Sequence, residues 1–342
     1  MLKYMLIFVS ALAIAAGIIP FLKRVAARWG FMDKPAIRKL HTKPIPLLGG
    51  IAIYLGCVIA LLLFNRFYVP QVVSILIGAT VVSLLGLWDD RRALNPFLKL
   101  AGQCLAASIP VLSGIQVQFL HHPVLNLVVT VLWIIGITNA MNLLDNMDGL
   151  SGGVAMVASI FFFLLAVMNG QVLVASLAAA LLGSCIGFLY YNLNPATIFM
   201  GDSGSLFLGF MLSMVGIKLR FPHNVDFITW MIPIIVLGLP IFDTALVVIS
   251  RLRRGLNPFI TPGKDHLSHR LVALGTTRRE AVLILYLICC GLGAISMFIM
   301  HANVYEAWLV GGLLFAFAVY AAWRLERVKV SEKRMDQPVL NL

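Results

Sequence analysis

Apolar blocks of about 17–25 residues recur from one end of the chain to the other, and each is long enough to cross about 30 Å of hydrocarbon. A chain patterned this way is expected to fold as an all-α, polytopic integral membrane bundle. Composition agrees: 61% of the 342 residues are hydrophobic and only 12% are charged, where soluble domains carry about 25%. Mean hydropathy is +0.96. Eleven spans are expected, at 4–22, 47–65, 70–88, 98–114, 122–139, 152–168, 172–190, 203–219, 227–250, 280–300 and 306–323. The first block is read as a retained span, since no small-x-small cleavage site precedes the basic loop.

The net charge of +12 does not point to nucleic acid, because the basic residues are scattered over short loops between spans. The loops 23–46, 89–99 and 251–279 and the tail after 323 hold 22 of the 26 lysines and arginines; Lys3, Arg66, Lys218 and Arg220 hold the other face. The positive-inside rule then places the N-terminus outside and the C-terminus in the cytoplasm, as an odd number of spans requires. Residues 1–323 are read as one integral membrane domain, with site-bearing loops at 23–46, 89–99, 139–151, 191–203 and 251–279. Residues 324–342 form a cytoplasmic tail. The five cysteines lie in apolar blocks without metal-ligand spacing and read as small buried hydrophobes.

With that orientation the acidic residues gather on one face. Asp89 and Asp90, in "GLWDDRRALNPFLKLAGQ", stand where the third span meets the cytoplasm. They form either an interfacial pair opposing Arg91 and Arg92 or two like charges that call for a cation. In "NAMNLLDNMDGLSGG", Asp145 and Asp148 are i,i+3 neighbours with Asn142 one turn earlier, although one of the acids, Asp148 above all, also suits a helix cap. In "YYNLNPATIFMGDSGSLFLG", Asp202 with Ser203, Gly204 and Ser205 opens the eighth span. That start suggests a phosphate cradle of free backbone N–H groups, or a plain N-cap by Asp202 or Ser203. Hard oxygen donors on several loops favour Mg²⁺, with Mn²⁺ as a substitute, over Zn²⁺. The loop "TPGKDHLSHRLVALG" adds Lys264, His266, His269 and Arg270 as donors aimed at a diphosphate; two histidines without a nearby cysteine make a poor zinc site. Asp243, inside the ninth span in "PIFDT", is either functional or held by a structural partner.

These segments taken in order resemble the polyprenyl-phosphate N-acetylhexosamine-1-phosphate transferases. "HTKPIPLLGG", "DDRRALNPFLKLAGQ", "NAMNLLDNMDG", "NLNPATIFMGDSGSLFLG", "PIFDT" and "HLSHRL" carry the resemblance over residues 38–275. It implies transfer of a sugar 1-phosphate from a UDP-N-acetylhexosamine to undecaprenyl phosphate with release of UMP, at the inner face of a bacterial cytoplasmic membrane. By the resemblance, Asp202 is the Mg²⁺ ligand, Asp89 and Asp90 the catalytic pair, and Lys43 a phosphate contact. Asn142, Asp145, Asp148, Asn192 and Phe199 are implied nucleotide and diphosphate contacts, with Phe199 stacking on uracil. His266 and His269 resemble the flanking members of the family's His-x-His-His loop, where Ser268 stands in place of the middle histidine.

The loop and the eleventh span look more like the GlcNAc-1-phosphate branch than the muramoyl-pentapeptide branch. UDP-GlcNAc is therefore the first choice of donor, for a lipid-linked cell-envelope glycan such as O-antigen. A homodimer is compatible with the sequence. A secondary transporter, the rival from another class, predicts polar residues at mid-span and on both faces, whereas these cluster on one. The lipid phosphate has a second pKa of about 6 and is largely dianionic at neutral pH, so direct in-line attack is preferred over a phospho-aspartate route.

Overall fold

The computed structural model describes residues 1–33, 44–64, 70–120, 122–221, 225–258, 261 and 263–328. It is helical apart from one antiparallel ribbon, in which β1 (Met32–Asp33) pairs with β2 (Ile45–Pro46). The helices are α1 (Leu2–Trp29), α2 (Gly49–Phe64), α3 (Pro70–Arg91), α4 (Pro96–Leu112), α5 (Pro123–Leu144), α6 (Leu150–Met168) and α7 (Val172–Asn192). They continue with α8 (Gly201–Lys218), α9 (Asp226–Val236), α10 (Gly238–Arg253), α11 (Leu267–Ala273), α12 (Arg278–Ile299) and α13 (Val304–Glu326).

Ten of the expected spans each coincide with one helix, and the ninth is the broken pair α9–α10, bent by 74°. The break has a local cause. Pro240, in the first turn of α10, has no N–H to return to the carbonyl of Val236, so the ladder cannot run through. Among the described residues, seven helices are long and apolar enough to cross a membrane alone, and eight spans result when the bent pair counts as one. The other expected spans are α2 and α4, at 16 and 17 residues, and α8, which carries Asp202 and Lys218 near its ends.

Helix boundaries follow from capping chemistry. Asn95 accepts the N–H of Phe97 at 2.9 Å and Pro96 opens α4. Thr277 with Glu280 and Asn303 with Glu306 form capping boxes at α12 and α13. The expected first span ends too early: α1 continues to Trp29 and stops at the left-handed Gly30. Likewise α13 runs past residue 323 to Glu326; tail residues 329–342 lie outside the described residues.

The core is built around α8. Every residue from Ser203 to Ile217 is buried, against α2, α3, α5, α6 and α7. At the other extreme α13 packs mainly on α9 and α10, with Ala307 its one buried residue. Cys57, Cys185 and Cys289 are buried as expected, while Cys104 and Cys290 are exposed on helix surfaces. Because the chain runs back and forth, one end of the bundle collects the C-termini of α3, α5 and α7 and the N-termini of α4, α6, α8 and α12.

Candidate active site

At that end the acidic motifs of α3, α5 and α8 meet around a lysine from α4. Lys99 Nζ lies 2.9 Å from Asp89 Oδ2, is in contact with Asp202 Oδ2, and donates to Asn142 Oδ1 at 3.2 Å. The Asn142 amide donates to Asp202 Oδ1 and to Ser205 Oγ, both at 2.9 Å. The Asp202 side chain is 31% exposed, against 13% for Asp89. Lys99 was not singled out from the sequence, yet a signal was present. A cation in the first turn of a helix opposes the macrodipole and needs an acidic partner.

Asp89 and Asp90 do not pair with the arginines beside them in the expected way. Arg91 turns back to the carbonyl of Trp29 at 3.2 Å and lies over the Phe31 ring. The two acids then divide. Asp89 Oδ1 accepts the Leu94 N–H at 2.6 Å and so closes the α3–α4 turn. Asp90 accepts the backbone N–H groups of Asp202 and Ser203, at 2.7 and 3.1 Å. The phosphate cradle expected at the start of α8 is therefore corrected: a carboxylate from another helix already fills it, and neither Asp202 nor Ser203 caps its own helix. That fit demands a close approach, since a methyl group on Gly86 would strike the backbone of Asp202 and Ser203.

Asp145, in the turn after α5, faces the carboxylates of Asp202, Asp90 and Asp148. Burial first, and then that repulsion, pushes its carboxyl up to about 8. Asp148 points elsewhere, accepting from Asn194 Nδ2 and Ala196 N–H, both at 3.0 Å. The turn closes at Gly149 with φ +77°, a conformation costly for any residue with a Cβ. Its N–H donates to Asn192 Oδ1 at 2.9 Å and its carbonyl accepts from Tyr286 of α12 at 2.5 Å. Asn192 Nδ2 meanwhile donates to the carbonyl of Ile198 at 2.8 Å. Asn192, expected to touch the nucleotide, is instead a brace that is 4% exposed and occupied at both ends of its amide.

Beside this turn lies a cleft of about 500 Å³, lined among others by Asp148, Leu193, Phe199, Arg278, Arg279 and Tyr286. Phe199, expected at the base, is one of the residues lining this cleft. Lys43 lies outside the described residues.

The histidine loop packs over the same end. His266 Nδ1 lies 2.8 Å from Asp243 Oδ2, and Leu267 N–H donates to Asp243 Oδ1 at 2.6 Å, so the intramembrane carboxylate has a structural partner. Ser268 donates to Asn146 Oδ1 at 2.6 Å, tying α11 to the Asp145–Asp148 turn. His269 is buried with Nδ1 unpartnered among the described residues; burial and the neighbouring cations lower it to about 4, so its ring is neutral.

Arg270 requires correction. Expected to reach a diphosphate, it is 3% exposed and donates to Asp265 O, Leu325 O and Ser250 Oγ at 2.9, 2.6 and 3.0 Å. It anchors the loop to α10 and α13. Asp265 is likewise structural, held by Arg251 and Arg254 and lowered to about 2 by those guanidinium groups against the opposing effect of burial.

Among the described residues no three His, Cys, Asp or Glu side chains converge into a closed metal cage. The donors present do fit a Mg²⁺ ion, which takes one or two carboxylates and completes its shell with water and substrate phosphate. Carboxylates crowded enough to raise Asp145 supply the excess negative charge such an ion would relieve.

An all-helical membrane bundle with an oxygen-rich, lysine-bridged carboxylate cluster at one end defines a membrane enzyme of phosphate chemistry. The family model described as Glycosyl transferase family 4 matches residues 72–220, the stretch from α3 to the end of α8. The "Probable undecaprenyl-phosphate N-acetylglucosaminyl 1-phosphate transferase" of Bacillus subtilis is 38% identical over 297 residues, covering 84% of this chain and 82% of its own. The decaprenyl-phosphate N-acetylglucosaminephosphotransferase of Mycolicibacterium smegmatis is 31% identical over 77% of this chain and 74% of its own. The undecaprenyl-phosphate alpha-N-acetylglucosaminyl 1-phosphate transferase of Escherichia coli K12 is 26% identical over 92% and 90%. The chain belongs to Glycosyl transferase family 4, among the polyprenyl-phosphate N-acetylglucosamine-1-phosphate transferases.

Proposed function

We propose that the protein transfers N-acetylglucosamine 1-phosphate from UDP-GlcNAc to undecaprenyl phosphate, releasing UMP and starting a lipid-linked cell-envelope glycan. The observation that carries this reading is the meeting of Asp89, Asn142 and Asp202 on Lys99, inside the stretch that matches the family. Among the described residues, Arg91, Lys99, Arg278 and Arg279 lie at the same end, which supports a site facing the cytoplasm of a bacterial inner membrane in an eleven-span chain.

Asp202 and Asn142 are the residues that would hold Mg²⁺, with Asp145 near enough to share its charge. When bound, such an ion neutralises charge on the diphosphate and on the departing UMP. Lys99 holds Asp89 and Asp202 together and supplies positive charge for the lipid phosphate. Asp89 orients that phosphate and accepts any residual proton. An oxygen of the lipid phosphate attacks the sugar-bearing phosphorus as the bond to the UMP oxygen breaks; one anhydride replaces another. Both oxygens of Asp90 accept backbone N–H groups, which supports direct attack over a phospho-aspartate at that residue. Phe199 and Asp148 receive the uracil in the cleft beside the turn.

The test is UMP release by purified protein in detergent or nanodiscs. It should require both undecaprenyl phosphate and a divalent cation, and Asp202→Asn should lower kcat at least about 100-fold. Turnover by Asp202→Asn at the parent rate would overturn the cation assignment. A labelled enzyme intermediate trapped without lipid acceptor would overturn direct attack.

A further inference from the structure

Asp243 is 1% exposed within α10, and the proposed reaction leaves it without a task. An ionisable group kept in such a place is retained for what it holds. Both of its oxygens are committed to one neighbour segment: Oδ2 to Nδ1 of His266 and Oδ1 to the N–H of Leu267. A carboxylate only accepts, so a proton lies on Nδ1, and in the neutral form of the ring the lone pair is then on Nε2.

The ring has little freedom to turn over. His266 is 5% exposed, and the edge of His269 lies against it with ring centroids 6.3 Å apart. The segment is also pinned beyond the ring, by Ser268 on Asn146 and by Arg270 on Asp265, Ser250 and Leu325. The Ser268 bond ends on the turn that carries Asp145 and Asp148. One buried carboxylate therefore sets the protonation pattern of a ring whose backbone is bolted to the substrate-facing turn.

We propose that Asp243 is a positioning residue that fixes the tautomer and orientation of His266, presenting Nε2 to the reacting groups as an acceptor of a hydrogen bond. A phosphate oxygen offers no proton to such a nitrogen. The partner it suits is a donor, namely a hydroxyl or the acetamido N–H of the sugar. This rests on the transferase reading above and adds a role that the loop's composition does not reveal.

Asp243→Asn isolates the tautomer. The amide oxygen keeps the Leu267 bond, while the amide N–H₂ turned toward Nδ1 forces the ring proton onto Nε2. The same change in the Ser-His-Asp proteases leaves geometry intact and costs about 10⁴ in kcat. Here kcat is expected to fall at least about 100-fold, with KM for UDP-GlcNAc within about threefold and the unfolding midpoint unchanged. In a His266→Ala background, Asp243→Asn should cost less than about twofold more, because the partner through which it acts is gone.

Imidazole ¹⁵N spectra in nanodiscs, with the His266 signal assigned by its loss in His266→Gln, should show a protonated Nδ1 in the parent and a protonated Nε2 in Asp243→Asn. A kcat within about threefold of the parent overturns the proposal. So does a full multiplicative loss in the double variant, or a parent His266 protonated on Nε2. Should Asp243→Asn fail to fold, the parent spectrum alone decides. If the parent releases no UMP from UDP-GlcNAc, the transferase reading fails, and the spectra still report the dyad.

Discussion

Replacing Gly86 with alanine tests how α8 is held to α3. The added methyl would strike the carbonyl carbon and oxygen of Asp202 and the amide nitrogen of Ser203. A flexible side-chain tip would swing away, but these are backbone atoms, so the two helices must part by about 1 Å to restore ordinary contact. The peptides being pushed are those that donate to Asp90 at 2.7 and 3.1 Å. Asp202 therefore moves against Asn142 and Lys99 as its capping bonds lengthen. Overpacking of this kind costs about 1–3 kcal/mol in stability. A misplacement of about 1 Å costs about 100-fold in rate, or about 2.7 kcal/mol of transition-state stabilisation. The measurement is kcat/KM for UMP release beside thermal unfolding in one detergent. Gly17→Ala serves as the control, because its methyl would meet nothing within 4 Å. Gly86→Ala with parental rate and stability would refute the view that this helix contact sets the position of Asp202.

Three further outcomes follow from the same geometry. Lys99→Met removes the ammonium shared by Asp89 and Asp202; it should lower stability by about 3 kcal/mol without divalent cation, and added Mg²⁺ should raise its melting temperature more than the parent's. Asp145 has a folded-state pKa of about 8, above its unfolded value near about 3.9, so the folded state binds the extra proton between them. Parent stability in cation-free buffer should therefore fall as pH rises from about 4 to 8, and Asp145→Asn should flatten that slope in thermal melts. Arg270→Met strands the Ser250 hydroxyl and the carbonyls of Asp265 and Leu325, and should cost about 3 kcal/mol in unfolding while leaving KM for UDP-GlcNAc near the parent value.

The helices and the polar end were legible because a chain that crosses hydrocarbon needs long apolar helical stretches and keeps its charges at their ends. What sequence could not give was the division of labour inside the cluster. Asp89 and Asp90 are adjacent and alike, yet one closes a turn and holds Lys99 while the other caps a helix that begins 111 residues later. Asn192 and Arg270 carry the residue types of ligand contacts, but their donors and acceptors are consumed internally, which only tertiary placement decides. Ser268 looked like a defect in a histidine motif. In place it is a short hydroxyl that reaches Asn146, so the departure has its own structural use. The α1 extension and the two-residue ribbon were missed because a helix end and a pair of short strands leave little periodic signal.

The complete enclosure of α8 bears on how the polypeptide is made. A helix whose residues Ser203–Ile217 all face protein has no need of a lipid-compatible surface, and it carries glycines, serines and end charges accordingly. Alone at the exit of the insertion machinery it is a reluctant passenger, since polar and small residues lower the gain from entering the bilayer. Its entry must therefore be a cooperative act, with the segments translated before it waiting as a preformed receptacle. The aspartate at its tip can take its place beside Asp89 and Lys99 only where α3 and α4 are there to receive it.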